Sequence, residues 1–199
     1  MGNTEGDVIY ISQALARRNP YKASMKGSIP VNVLTRVPSA NAAPLDLDIN
    51  LDHADMNALA LFFNPVTSAE GPIKGYVKVS GAWDDPELRG DVSVKNGRIE
   101  LLTLHDPIFP LNMDVKFDGK SATVEGNAVF GTGKFSVKGG LEWDRGAIIA
   151  YNGEAHLHAP DIHSDYYKGS LDADFGLGEV MDVPGIEGNI HIHDALSSP

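Results

Sequence analysis

Leu45-Asp46-Leu47-Asp48-Ile49-Asn50-Leu51-Asp52 alternates aliphatic and polar side chains without a break. An extended chain turns successive side chains to opposite faces, so Leu45, Leu47, Ile49 and Leu51 share one face. Asp46, Asp48, Asn50 and Asp52 share the other. The segment predicts a strand that is apolar on one side and hydrated on its reverse. Its register is fixed, since a slip of one residue would exchange the two faces.

The same alternation recurs along the rest of the chain. It gives Gly75, Val77, Val79, Gly81 and Trp83; Leu88, Gly90, Val92 and Val94; Leu111, Met113, Val115 and Phe117. It continues with Val124, Gly126, Ala128 and Phe130; with Phe135, Val137, Gly139, Leu141 and Trp143; and with Ile149, Tyr151, Gly153, Ala155 and Leu157. Leu171, Ala173 and Phe175, then Gly188, Ile190 and Ile192, complete the series. Asn96-Gly97, Asp118-Gly119 and Gly131-Thr132-Gly133 read as turns between these runs, so hairpins dominate the connectivity. The exception is Asp55 to Phe63, where Met56, Leu59, Phe62 and Phe63 fit helical spacing behind an aspartate cap and stop before Pro65. One short helix is expected there. Asp7 to Arg18 is open between helix and strand, and Pro30 to Pro44 reads as loop.

Two stretches repeat one pattern, KGYVKVSGAWDDPELRGDVSVKNGRI from Lys74 and KGSLDADFGLGEVMDVPGIEGNIHIHDAL from Lys168. Both read strand, acidic turn, Pro-x-apolar-x-Gly, strand, with a period of about 95 residues. The expected organisation is an N-terminal segment over 1–44, a first repeat over 45–140 and a second, truncated repeat over 141–199. Truncation inside a longer array is the natural inference, because stacked repeats bury their ends against neighbours. The opening Met1-Gly2-Asn3-Thr4-Glu5-Gly6 reads as an added start.

Composition narrows the function classes. The 199 residues carry a formal net charge of -11, which repels phosphate backbones, so nucleic acid is the least favoured partner. With no cysteine, neither a disulfide framework nor a thiolate metal site is available. The apolar stretch around Ala58 to Phe63 is far shorter than the ~20 residues a membrane-spanning helix needs. His156-x-His158 and His191-x-His193 each put two imidazoles on one strand face, as some zinc sites require. That face is the polar one, no third ligand can be placed, and solvated histidines are the plainer reading. Gly131-Thr132-Gly133-Lys134 lacks the remaining positions of a phosphate loop, and Asp84-Asp85 reads as hydration rather than a catalytic acid pair. No enzyme, metal or cofactor is expected.

Glycines fall on the apolar face of nearly every strand, at Gly75, Gly81, Gly90, Gly126, Gly139, Gly153, Gly169 and Gly188. A packed sandwich would fill such positions, so they suggest a curved sheet with unfilled space along its concave face. In pattern, GYVKVSGAW, DDPELRGDVSVKNGRIEL and PLNMDVKFDGKSATVEGNAVFGTGKFSVKGGLEW resemble the repeat of the TamB group (translocation and assembly module) within the AsmA-like superfamily, over about residues 45 to 195.

The resemblance implies an all-β fold: a curled, U-shaped repeating groove of antiparallel hairpins, the β-taco. It also implies a periplasmic protein of a diderm bacterium, anchored in the inner membrane, whose groove conducts phospholipid toward the outer membrane. Its partners would be phospholipid acyl chains and a TamA-like outer-membrane barrel. The groove is expected to be lined by Val77, Val79, Trp83, Leu88, Val92, Val94, Ile99, Leu101, Leu111, Met113, Val115, Phe117, Val124, Phe130, Phe135, Val137, Leu141, Trp143, Leu157, Leu171, Phe175, Ile190 and Ile192. The alternative is a protein-binding module that takes an extended client on an exposed strand edge and assists outer-membrane protein and autotransporter assembly.

Overall fold

A computed structural model describes residues 8–18, 21–31, 43–57, 66–102, 104–163, 168–180 and 183–196. They form twelve strands: β1 (Val8–Arg18), β2 (Tyr21–Pro30), β3 (Leu45–Asp55), β4 (Val66–Glu70), β5 (Pro72–Ala82) and β6 (Asp85–Leu101), then β7 (Ile108–Gly119), β8 (Ser121–Phe130), β9 (Gly133–Asp144), β10 (Ala147–His163), β11 (Lys168–Val180) and β12 (Val183–Leu196). All belong to one antiparallel sheet in the order β1-β2-β3-β5-β6-β7-β8-β9-β10-β11-β12, with β4 beside β6. The two ends of this path do not meet, so the sheet is not a closed barrel. Asp7 to Arg18 therefore resolves as strand from Val8 onward.

The alternation that starts at Leu45 sets the pairing. Leu47 lies opposite Val79 and Ile49 opposite Val77, while Asp46 meets Ser80 and Asp48 meets Lys78. Keeping the aliphatic set together satisfies every neighbouring strand at once, so the register propagates across the sheet. Gly131-Thr132 is a turn as expected, whereas Asp118-Gly119 still belongs to β7, paired with Arg89 and Leu88, and the chain bends one residue later, at Lys120. Arg145 (φ 48°) and Gly146 (φ 72°) make a further tight turn between β9 and β10.

Asn96-Gly97 is not a turn. β6 runs straight through it, and Asn96 takes a φ of 55° within a bulge. The bulge faces the point where β4 gives way to β5 at Gly71, so both sides of the ladder break together. The Asn96 amide donates instead to the Asn112 side chain at 3.0 Å. Gly97 is needed for space: a Cβ there would stand 2.8 Å from both Met56 Sδ and Val94 Cγ1. Met56, fully buried, packs into this gap with Ala69 and Val94. The helix expected over Asp55 to Phe63 falls mostly outside the described residues; Met56 and Asn57 form a single 3-10 turn.

At two of the apolar-face glycines the structure gives a cause different from the one their spacing suggests. At Gly90 a Cβ would sit 1.9 Å from the Tyr76 carbonyl oxygen, and φ is +133°. On β5, Gly75, opposite Val92, repeats the arrangement, 2.1 Å from the Asp91 carbonyl at a φ of +156°. These positions are occupied by neighbouring backbone rather than left open. Glycine lets the strands approach and kink, the local device by which a sheet acquires curvature.

A bend is visible at one end. Trp143 Nε1 on β9 donates to the Pro86 carbonyl on β6 at 3.0 Å, and the Arg145 amide donates to Asp85 at 2.9 Å. Three strand intervals of a flat sheet would keep β6 and β9 about 14 Å apart. Lys120, from the β7–β8 connection, pairs with both Asp85 and Asp144 and ties the same three hairpin ends.

Candidate functional site

The pairing registers join into one continuous row. From β1 to β5 it runs Ala16, Ala23, Leu51 and Gly75. From β6 to β9 it runs Val92, Val115, Val124 and Gly139. Gly153, Leu177 and Ile186 carry it through β10, β11 and β12. Eleven strands are crossed without one polar side chain, a span of about 48 Å at the usual strand spacing. Parallel rows flank it, such as Val94, Met113, Gly126, Val137, Ala155, Phe175 and Gly188. Among the described residues no second layer covers this face.

Most of the residues expected to line a groove share this face: Val77, Val79, Leu88, Val92, Met113, Val115, Phe117, Val124, Val137 and Leu141 along β5 to β9, with Leu111, Phe135, Leu157 and Leu171. Others are placed differently. Val94 is shut in beneath Met56, with Ile99 packed on the same cluster, and Phe130 is buried against Ala159 with Leu104 folded over them. Leu101 pairs with Val66 on the short strand β4. Trp83 lies in the β5–β6 turn, and Trp143 reaches across the face to Pro86. Phe175 continues the face on β11, while Ile190 and Ile192 on β12 are 55% and 59% exposed. Ile149 leaves the row, because a bulge between Ile148 and Ala150 shifts the phase of β10.

The reverse face is a lattice of charge. Lys78 pairs with Asp46 at 2.7 Å and lies 3.7 Å from Asp48, which also accepts the Tyr76 hydroxyl. That hydroxyl, more than the nearby lysines, holds the Asp48 carboxyl below the usual carboxylate range. Asp85 is held down in the same way, first by Lys120 and then by the Arg145 amide.

On β10 and β11 the histidines find partners that spacing alone could not supply. His156 Nδ1 lies 2.6 Å from Asp174, and His158 Nδ1 contacts Asp172. The Asp174 hydrogen bond raises the His156 pKa above the ordinary imidazole value. Both pairs, with Lys134, Ser136 and His191, line a hollow of about 780 Å³. Among the described residues no three histidine or acidic side chains are grouped to hold a metal ion. The hollow is thus lined by two hydrogen-bonded histidine–aspartate pairs.

Comparison with known proteins finds no family model, no curated protein and no solved structure that matches this chain.

Proposed function

We propose that the chain is a segment of a TamB-like envelope conduit, an inner-membrane-anchored periplasmic protein whose sheet curls into an open groove along which phospholipid tails move between membranes. The observation that carries this reading is the uninterrupted apolar row from Ala16 to Ile186, with a charged lattice on the reverse. The cross-sheet contact of Trp143 with Pro86 and the kinks at Gly75 and Gly90 favour a curled sheet over a flat one. Removing a methylene from water contributes ~0.8 kcal/mol, so a dozen contribute on the order of 10 kcal/mol before ordering costs. Apolar contact has no preferred direction, so a tail can slide from strand to strand against a small barrier, which suits a conduit better than a tight carrier.

The test is photo-crosslinking in cells, with the probe placed at Val115 and, separately, at its outward neighbour Lys116. Lipid adducts at 115 and none at 116 support the conduit. Absence of lipid at both positions, or protein adducts at both, would sink it.

A further inference from the structure

We propose that His156 and His158 on β10 form a two-nitrogen site for a divalent first-row transition ion, cupric ion most tightly, each imidazole being oriented for it by an aspartate on β11. The site lies on the reverse face of the sheet and is independent of what the apolar face carries.

Residues two apart on a strand project to the same side, about 7 Å from one another, so both rings stand on one face. β11 sets Asp174 against His156 and Asp172 against His158, and the two pairs repeat one arrangement. His156 Nδ1 lies 2.6 Å from the Asp174 carboxylate, and His158 Nδ1 contacts Asp172 in the same way. A carboxylate accepts and cannot donate, so Nδ1 carries the proton in each ring, and the lone pair of the neutral imidazole sits on Nε2. Both rings thus share one tautomer, which leaves the nitrogen that can ligate a metal outside the bond to aspartate. A carboxylate behind a ligating imidazole is the usual means of fixing the ring and raising its basicity.

The surroundings admit an ion together with water. The His156 and His158 side chains are 55% and 68% exposed and border the hollow of about 780 Å³. Metal–imidazole bonds of about 2 Å bring two neighbouring Nε2 atoms to about 3 Å, so the rings must lean together, and their exposure leaves them room to do so. Charge favours a cation on balance: Asp172, Asp174 and Glu154 stand close by, against Lys134 across from His158. Among the described residues no three histidine or acidic side chains are grouped for direct ligation, so water completes the shell. With two imidazoles and no thiolate, affinity follows the general order of the first-row ions, cupric above nickel and zinc.

The experiment titrates the chain at about pH 8 with cupric iminodiacetate, whose chelator fills three coordination positions and leaves two neighbouring ones for imidazole. Electron paramagnetic resonance should show one complex per chain with two coupled imidazole nitrogens. His156→Ala and His158→Ala, both at exposed positions, should each weaken binding by roughly tenfold or more, because the second nitrogen no longer binds within the same molecule. Asp174→Asn should weaken it by about tenfold at an unchanged circular dichroism spectrum. His191→Ala should leave it unchanged, although His191 borders the same hollow. Binding no tighter than in the chain carrying both His156→Ala and His158→Ala would overturn the site. An equal loss in His191→Ala would overturn it too, the ion then being held adventitiously by scattered histidines. Undiminished affinity in Asp174→Asn would overturn the orienting role of the aspartates.

Discussion

The indole of Trp143 on β9 donates to the backbone carbonyl of Pro86 on β6, a 3.0 Å hydrogen bond between residues 57 apart in sequence with two strands between them. A neutral hydrogen bond of this kind contributes about 1 kcal/mol net, and losing it leaves a carbonyl in a partly buried place. Trp143→Phe keeps an aromatic ring and removes the donor. It should lower the unfolding free energy by about 1 kcal/mol, read as a lower urea midpoint at unchanged slope, and should increase the radius of gyration in solution scattering. A destabilised variant of unchanged dimensions would show that the bond does not hold the bend.

Two glycines in strands predict opposite outcomes. Gly90→Ala forces a methyl into the Tyr76 carbonyl at a φ of +133° and should cost more than about 2 kcal/mol. Gly178→Ala meets nothing within 4 Å and should leave the thermal midpoint almost unchanged. Thermal unfolding of the pair separates close approach of strands from unfilled space, since equal small effects would restore the latter.

Among the described residues Met56 is the largest fully buried side chain, held against Ala69 and Val94. Met56→Ala should cost about 2–5 kcal/mol, and hydrogen exchange should quicken along β4 and the second half of β6 first.

His156 faces Asp174 on one side, with Ser136 across from it on β9 and Glu154 two residues earlier on its own strand. Its folded pKa is raised, chiefly by the Asp174 hydrogen bond. The charged pair's contribution to stability is therefore complete below the ordinary imidazole pKa of about 6.5 and is lost as pH rises through the higher folded value. An NMR titration should find His156 above the ordinary value, and Asp174→Asn should bring it back down. A His156 titration unmoved by Asp174→Asn would remove the pair from the account.

Val115→Asp places a carboxylate in the middle of the apolar row, between Val92 and Val124. Lipid crosslinking from neighbouring apolar positions should fall to background while far-ultraviolet circular dichroism stays that of an intact sheet. Undiminished lipid transport in cells carrying this substitution would contradict the conduit.

Much of this architecture was legible because a period of two is unambiguous where one face is wet. Leu45 to Asp52 fixes its own register and, through cross-strand matching, that of its neighbours. β1 was not legible: Ile9 and Ile11 share the face with Ala14 and Ala16, but a bulge between Ile11 and Ala14 shifts the phase and imitates a helical period. Asn96-Gly97 carries the strongest local turn signal in the chain, and what overrides it is non-local, the break at Gly71 opposite and Met56 above. The carboxylates that hold His156 and His158 lie 18 and 14 residues away, on another strand, and are assigned only once the β10–β11 register is known. Contacts across several strands, such as Trp143 with Pro86, leave no trace in any local pattern.

From β5 to β12 each strand pairs with the next one in sequence. Strand direction alternates at every step, so deleting or duplicating a whole hairpin leaves all later strands pointing the same way with the same face turned inward. Losing a single strand would reverse everything downstream. Such a chain can change its reach only in units of two strands, about 10 Å at a time. The distance it spans is thus a countable property of its gene, a ruler graduated in hairpins.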